Sequence, residues 1–290
     1  MDRAKTVAGL IALGLLASCA RAPRIVVGSK NFTEQVLLGE IVAQHIEQRM
    51  GVIVDRKLNL GGTLLAHEAL VKGSIDLYPE YTGTALTAIL KQTPARDPSS
   101  VFETVRQAYQ RQWRLVWLTP LGFNDTFAMI VRGDVARAGH IGTLSEAAAA
   151  RSWRLGAGYE FQQRPDGLAG LLQTYGLRTE GAPVAMDLGL LYSALTSGKV
   201  DMIAANSTDG LAGALDVAVL ADDRHYFPPY ECSVVAREET LIHFPQLRGV
   251  LQELSGKLPD ATMRRLNNEV DGKHRSVAET AADFLRQSHL

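Results

Sequence analysis

The amino-acid sequence predicts an α/β protein of two similar lobes, and three observations carry that reading. Apolar strands alternate with helical stretches at short spacing from Arg24 onward, the pattern of layered α/β sheets with mostly parallel strands. One unit of helix, glycine cap and Asp-containing strand occurs twice, since Leu64 to Leu77 lines up with Gly189 to Met202. Two copies so far apart suggest paired lobes and not a solenoid. The length of 290 residues, with 46% hydrophobic side chains, is about twice a typical domain and gives each lobe a core of its own.

Taken in order, residues Arg3 to Lys5 give a short basic start, and Thr6 to Leu16 form an uncharged, mostly apolar run. Such a run is too short for a permanent membrane helix, which needs about 20 residues, and reads as a secretory signal covering residues 1–18. Its ending, Leu16-Ala17-Ser18-Cys19, resembles the lipobox of bacterial lipoproteins and makes Cys19 the expected acylated residue. Ile25 to Gly28 is an apolar strand, Thr33 to Met50 a helix stopped by Gly51, and Val52 to Leu60 a second strand. Gly61-Gly62-Thr63 leads into a helix through Leu70 capped by Gly73, followed by a strand over Ile75 to Tyr78. Thr82-Gly83-Thr84 opens another helix, and a helix over Val101 to Trp113 precedes a strand over Leu115 to Thr119.

Composition narrows the chemistry. Lys and Arg number 30 against 31 Asp and Glu, with no basic stripe, so nucleic acid is an unfavourable partner. The cysteines Cys19 and Cys232 build no disulfide framework, and once Cys19 is acylated Cys232 is expected as a single buried thiol. No nucleophile elbow, Walker loop, zinc-protease helix or close Cys/His set occurs, so an enzyme, a metal site or a cofactor is not expected. His45 and Glu47, and His67 and Glu68, read as polar groups on water-facing sides of helices. Gly28-Ser29-Lys30 and Gly61-Gly62-Thr63 look weakly like anion loops at helix starts.

Aromatic residues gather in the predicted loops. Tyr78 and Tyr81 bracket Pro79-Glu80, Phe123 and Phe127 bracket Asn124-Asp125-Thr126, Tyr159 and Phe161 flank Glu160, and Tyr226-Phe227-Pro228-Pro229-Tyr230 makes a stiff turn. Most aromatics in a chain of this size are core. Rings held on rigid loops nevertheless suit an organic cation, whose attraction to a ring face is about 0.5–1 kcal/mol when wet and about 2 kcal/mol when desolvated.

Five motifs together look like one known family. Gly28-Ser29-Lys30-Asn31-Phe32-Thr33-Glu34-Gln35, Asp76-Leu77-Tyr78-Pro79-Glu80-Tyr81-Thr82-Gly83-Thr84, Gly122-Phe123-Asn124-Asp125-Thr126, Ser207-Thr208-Asp209-Gly210 and Phe227-Pro228-Pro229-Tyr230 resemble the substrate-binding proteins of osmoprotectant ABC importers. Those proteins capture glycine betaine, choline, proline betaine and related quaternary amines. The resemblance runs from Arg24 nearly to the C-terminus.

It implies a two-lobed periplasmic-binding-protein-like fold of type II, with residues 19–124 plus 226–290 as the first lobe and 125–225 as the second. The ligand then lies in a cleft between them, and the liganded protein delivers it to membrane permease subunits from a lipid-anchored position in the periplasm or cell envelope. By motif position, Tyr81 and Tyr230 form an aromatic box with Asp125 adding negative charge, Thr84 and Lys30 are polar contacts, and Arg164 is a clamp for a ligand carboxylate. Two positions depart from the pattern. Phe127 and Asn206 stand where tyrosines are expected, which removes a hydroxyl at one and a whole wall at the other. Asn206 then either meets a larger, ergothioneine-like betaine or stabilises its own Ser-Thr-Asp turn. An amino acid or polyamine carrier of the same fold, or a ligand sensor, is the alternative reading.

Overall fold

The computed structural model describes residues 24–290, so the leader and the acylation signal at Cys19 lie outside the described residues. Strands β1 (Arg24–Gly28), β2 (Ile53–Lys57), β3 (Leu77–Tyr81) and β4 (Leu115–Trp117) alternate with helices α1 (Thr33–Met50), α2 (Thr63–Val71), α3 (Thr82–Thr84) and α4 (Pro98–Trp113). The chain then builds β5 (Phe127–Arg132), α5 (Gly133–Gly139), α6 (Leu144–Ala150), β6 (Leu155–Ala157), α7 (Tyr159–Gln163) and α8 (Leu168–Tyr175). Next come β7 (Val184–Ala185), α9 (Leu191–Thr196), β8 (Met202–Asn206), α10 (Gly210–Ala214) and β9 (Val217–Leu220). It closes with β10 (Cys232–Arg237), α11 (Glu238–His243), α12 (Leu247–Gln252), α13 (Asp260–Asp271) and α14 (Val277–Gln287).

Two five-stranded sheets result, ordered β2-β1-β3-β10-β4 and β7-β6-β8-β5-β9. The sequence repeat is a structural one: α2 leads through Gly73 to β3 and α9 through Gly198 to β8, both glycines at φ 71° and both strands third in their sheets. An L side chain is strained at that angle, which is why glycine ends each helix. In each sheet one strand runs against its neighbours, β10 against β3 and β4 and β5 against β8 and β9. Each is the strand that enters from the other sheet. It arrives at the end of the sheet where the parallel strands leave, and without a helical crossover it runs the opposite way.

The crossing segments pair with each other, through a bridge between Asn124 and Glu231, the Asp125 N–H donating to the Tyr230 carbonyl at 3.2 Å and the Tyr230 N–H donating to Asn124 Oδ1 at 2.6 Å. Two cores flank this ribbon. Leu37 and Ile41 of α1 pack with Phe284 and Leu285 of the returning C-terminal helix, and Met129, Trp153 and Leu171 fill the second lobe. Trp153 is wholly buried with its indole N–H on the Ala147 carbonyl at 2.9 Å, so its ring is desolvated without stranding a donor.

Several local expectations are corrected. The third strand starts at Leu77 and not Ile75, because the N–H groups of Ser74 and Ile75 both return to the Ala69 carbonyl and close α2. It runs on through Pro79, which is tolerated because β1 pairs with β3 only at Leu77 and asks nothing of the missing N–H. The helix after Tyr81 widens into a π-helical turn over Ala85–Ile89. Strands β2 and β4 are shorter than expected at their C-terminal ends. The histidines are not on wet faces: His45 is fully buried with Nε2 3.0 Å from the Val250 carbonyl, and His67 packs edge-on to Tyr109 and Trp113. Burial lowers the pKa of both imidazoles. Cys232 is a buried free thiol whose pKa burial pushes well up.

Candidate functional site

The ends of the parallel strands and the crossing ribbon converge on one cavity of about 370 Å³. Lys30 follows β1, Tyr81 ends β3, Thr84 lies in α3, Asn206 ends β8 and Arg164 follows α7. Asp125, Phe127 and Tyr230 come from the crossing segments or their margins. All eight line the cavity. Open α/β sheets place ligands at such strand ends, so residues far apart in sequence share a wall. Gly83 lets the second crossing approach: a Cβ there would lie 2.6 Å from the Pro229 carbonyl and 2.7 Å from the Tyr230 ring.

Two of the cations have internal partners. Lys30 Nζ lies 2.5 Å from Glu80 Oε1 and 4.9 Å from the Tyr81 ring centroid. Glu80 also accepts from the Tyr78 hydroxyl and the Tyr81 N–H, so its buried charge is met by three donors. Arg164 donates Nε and Nη2 to Asp166 at 2.9 and 2.5 Å, and Nη1 to Thr84 Oγ1 at 3.1 Å. Its Cζ lies 5.1 Å from the Phe127 centroid and 5.6 Å from that of Tyr230, whose hydroxyl donates to Asp166. The expected clamp therefore has one fork edge already closed by Asp166. Nη1 is the side of the guanidinium left for a ligand anion.

The carboxylates behave differently. Tyr81 donates its hydroxyl to Glu34 Oε1 at 2.7 Å, and Asn267 Nδ2 donates to Glu34 Oε2 at 2.8 Å. Thr208 Oγ1 sits 2.6 Å from Glu34 Oε2 and 2.7 Å from Asp125 Oδ1. One hydroxyl has one proton to give, so the second short contact is met when one carboxyl carries a proton. Burial raises the pKa of Glu34 and takes Asp125 well above its usual range; the Glu34 charge raises Asp125 further, while hydrogen bonds from Thr208 oppose the shift in both. Asp209 is pushed up to about 7, again chiefly by burial. Among the described residues none of these three carboxylates has an ion pair. With Lys30 and Arg164 balanced by Glu80 and Asp166, the site carries surplus acid beside aromatic faces, a surrounding that favours a cation.

Phe127 is the hub of the aromatic wall, 4.8 Å from Phe161, 5.9 Å from Phe227 and 5.7 Å from Tyr230 between ring centroids. Asn206 is half-buried, and its side-chain amide makes no hydrogen bond to the turn that follows. Asp209 closes that turn instead, accepting from the Asn206 N–H at 3.1 Å and donating its own N–H to the Asn206 carbonyl at 3.2 Å. Sequence reasoning left out Glu34, Glu80, Asp166 and Thr208, although Glu34, Glu80 and Thr208 stand inside the quoted motifs and Asp166 lies two residues after Arg164. Glu80 meets Lys30 from the neighbouring strand, Thr208 meets Glu34 across the cleft, and Asp166 meets Arg164 within one loop, and nothing in a motif shows which charges are paired.

The cleft is closed by contacts between the lobes. Glu160 of α7 accepts from the Thr63 N–H at 2.6 Å and Thr63 Oγ1 at 2.9 Å, at the start of α2. The weak anion-loop signal at Gly61-Gly62-Thr63 thus meets the protein's own carboxylate. Thr87 donates to Asp166 at 2.9 Å and Asn267 Nδ2 to the Thr208 carbonyl at 2.9 Å. Among the described residues no cluster of three or more His, Cys, Asp or Glu is placed to hold a metal, and no helix is long and apolar enough to cross a membrane.

Twice-crossed lobes that close over a buried cavity of rings and carboxylates define a two-lobed solute-binding protein. Residues 23–287 match the family described as the substrate binding domain of ABC-type glycine betaine transport systems, and the chain belongs to that family. It is 35% identical over 296 residues to a glycine-betaine-binding protein of Pseudomonas aeruginosa, covering 98% of this chain and 92% of that one. It is 33% identical over 268 residues to an ergothioneine transport permease/ergothioneine binding protein of Helicobacter pylori, covering 92% of this chain and 48% of that protein, so it spans about half of that relative. A crystal structure described as a glycine betaine/carnitine/choline ABC transporter shares the fold with TM-score 0.77 and 32% identity, over 91% of this chain and 98% of that one. These relatives are transport proteins and not enzymes.

Proposed function

We propose that this chain captures a trimethylammonium zwitterion outside the cytoplasm and hands it to the permease of an ABC importer, from a membrane anchor made by acylated Cys19. The observation that carries the reading is the single cavity in which Tyr81, Phe127 and Tyr230 meet the unpaired Asp125. The quaternary head sits against those rings with Asp125 supplying charge, and Arg164 Nη1 with Thr84 receives the carboxylate. Lys30 contributes mainly through Glu80, holding the floor of the site. The lobes are residues 19–124 with 226–290, and 125–225, turning about the paired crossing at Asn124 and Glu231. Relatives named for glycine betaine, carnitine and ergothioneine support a betaine over an amino acid or polyamine.

Titration calorimetry with glycine betaine, choline and carnitine tests it. A desolvated ring contributing about 2 kcal/mol corresponds to more than tenfold in affinity, the loss expected for Tyr230→Ala, with a similar loss for Asp125→Ala. Unchanged affinity in both variants removes these residues from the site.

A further inference from the structure

The rings assigned to the box are already engaged by the protein's own cations. Tyr81 is 3% exposed and has Lys30 Nζ 4.9 Å from its centroid, and Tyr230 is 2% exposed with Arg164 Cζ at 5.6 Å. The same guanidinium lies 5.1 Å from the centroid of Phe127. A cation held over a ring takes up part of the attraction that the ring could offer a ligand.

Phe32 stands apart from these three. It lines the same cavity, keeps part of its surface accessible, and has no Lys or Arg over its ring among the described residues. Its place is set by the chain. It precedes the first turn of α1 in extended conformation, at φ −140° and ψ 158°, and packs against the core to which α1 and Tyr81 both belong. The Phe32 and Tyr81 rings lie 6.4 Å apart between centroids with 21° between their planes, so the two faces are turned nearly the same way.

Phe32 also stands where the box is short of a wall. Phe32, Leu188 and Asn206 line both the first cavity and a neighbouring one of about 460 Å³, and so belong to the wall between them. Asn206 is the position at which the family pattern calls for a tyrosine, and its amide brings no ring. Leu188 brings none either. Phe32 is the aromatic residue among those that line both spaces.

We propose that Phe32 is a specificity-determining residue of the ligand site, its ring supplying the cation-facing wall that Asn206 does not. The proposal rests on the reading of the first cavity given above.

Glycine betaine, titrated by calorimetry, is the probe. Phe32→Leu keeps apolar bulk and removes the ring, and is expected to weaken binding about tenfold. Asn206→Tyr is expected to change native affinity by less than about threefold but to recover most of the loss in Phe32→Leu, because one wall then replaces the other. Phenylalanines carrying one, two and three ring fluorines at position 32 draw density from the ring face with little change of shape. Affinity is expected to fall stepwise along that series, which a ring acting only as packing would not show; thermal melts confirm that each variant folds. A folded Phe32→Leu within about twofold of native, or a flat fluorine series, overturns the assignment of Phe32 while Tyr230→Ala still loses affinity. No binding of glycine betaine by the native protein, or unchanged affinity in both Tyr230→Ala and Asp125→Ala, takes down the reading of the cavity and this assignment with it.

Discussion

Thr208 shows at the scale of one residue how the site holds charge. Its hydroxyl stands between Glu34 and Asp125 with a single proton to give, and Asp209 nearby is raised to about 7. A carboxyl that takes up its proton more readily when folded stabilises the fold fully below its unfolded pKa, and that stability is lost as pH rises through the folded value. For Asp209 the window runs from 3.8 to about 7. The melting temperature of ligand-free protein is therefore expected to fall across that window, with Glu34 and Asp271 lining the same cavity as Asp209 and Asp125 beside Glu34, all raised by burial. Asp209→Asn should flatten the upper part, read by melts at pH 5 and pH 8; an identical slope in native and variant would show that Asp209 is not the group responsible. A bound cation favours the ionised cluster, so betaine affinity is expected to rise with pH over the same range. The resemblance to a known family picked out Tyr81, Asp125 and Arg164, but the sharing of one proton was not legible, because Glu34 and Thr208 are 174 residues apart and meet only in the folded chain.

Among elements, α2 shows how closure uses a helix end. Its N-cap is Gly62, which offers no side chain to the exposed N–H groups of the first turn, and Glu160 from the other lobe accepts from Thr63 in its place. A helix cap contributes about 1 kcal/mol, roughly fivefold in an equilibrium. Glu160→Ala is expected to speed ligand release by about that factor in stopped-flow measurements, with Thr63→Val losing part of it; equal release rates in all three proteins would leave closure to the remaining contacts. Element order along the first lobe was readable from apolar periodicity, and so was the α2 to β3 unit repeated as α9 to β8. The ends of β3 were not. They depend on β1 letting go after Leu77, which is a property of the sheet and not of residues 75–81.

Across the whole molecule, the antiparallel strands β5 and β10 tie the two sheets together and set the cavity over the crossing ribbon. Helix α13 belongs in sequence to the returning C-terminal segment, yet it packs on α10, where a Cβ on Gly210 would lie 2.2 Å from the Asn268 nitrogen. The proposed anchor at Cys19 lies outside the residues that line the cavity, so attachment and binding are testable apart. Cys19→Ser is expected to move the protein from the membrane to the soluble fraction while betaine affinity stays the same, checked by fractionation and calorimetry on one preparation; retention in the membrane would remove the anchor from the proposal.

The sequence by itself determined the layered α/β character and the repeated unit, which follow from periodicity, and its resemblance to a known family singled out the eight side chains that line one cavity. Only the tertiary structure decided what each charge does. Glu80 neutralises Lys30 because strand order sets β1 beside β3, Asp166 holds Arg164 within one loop, and Asp125 is left without a cation among the described residues, in a buried setting where charges are weakly screened.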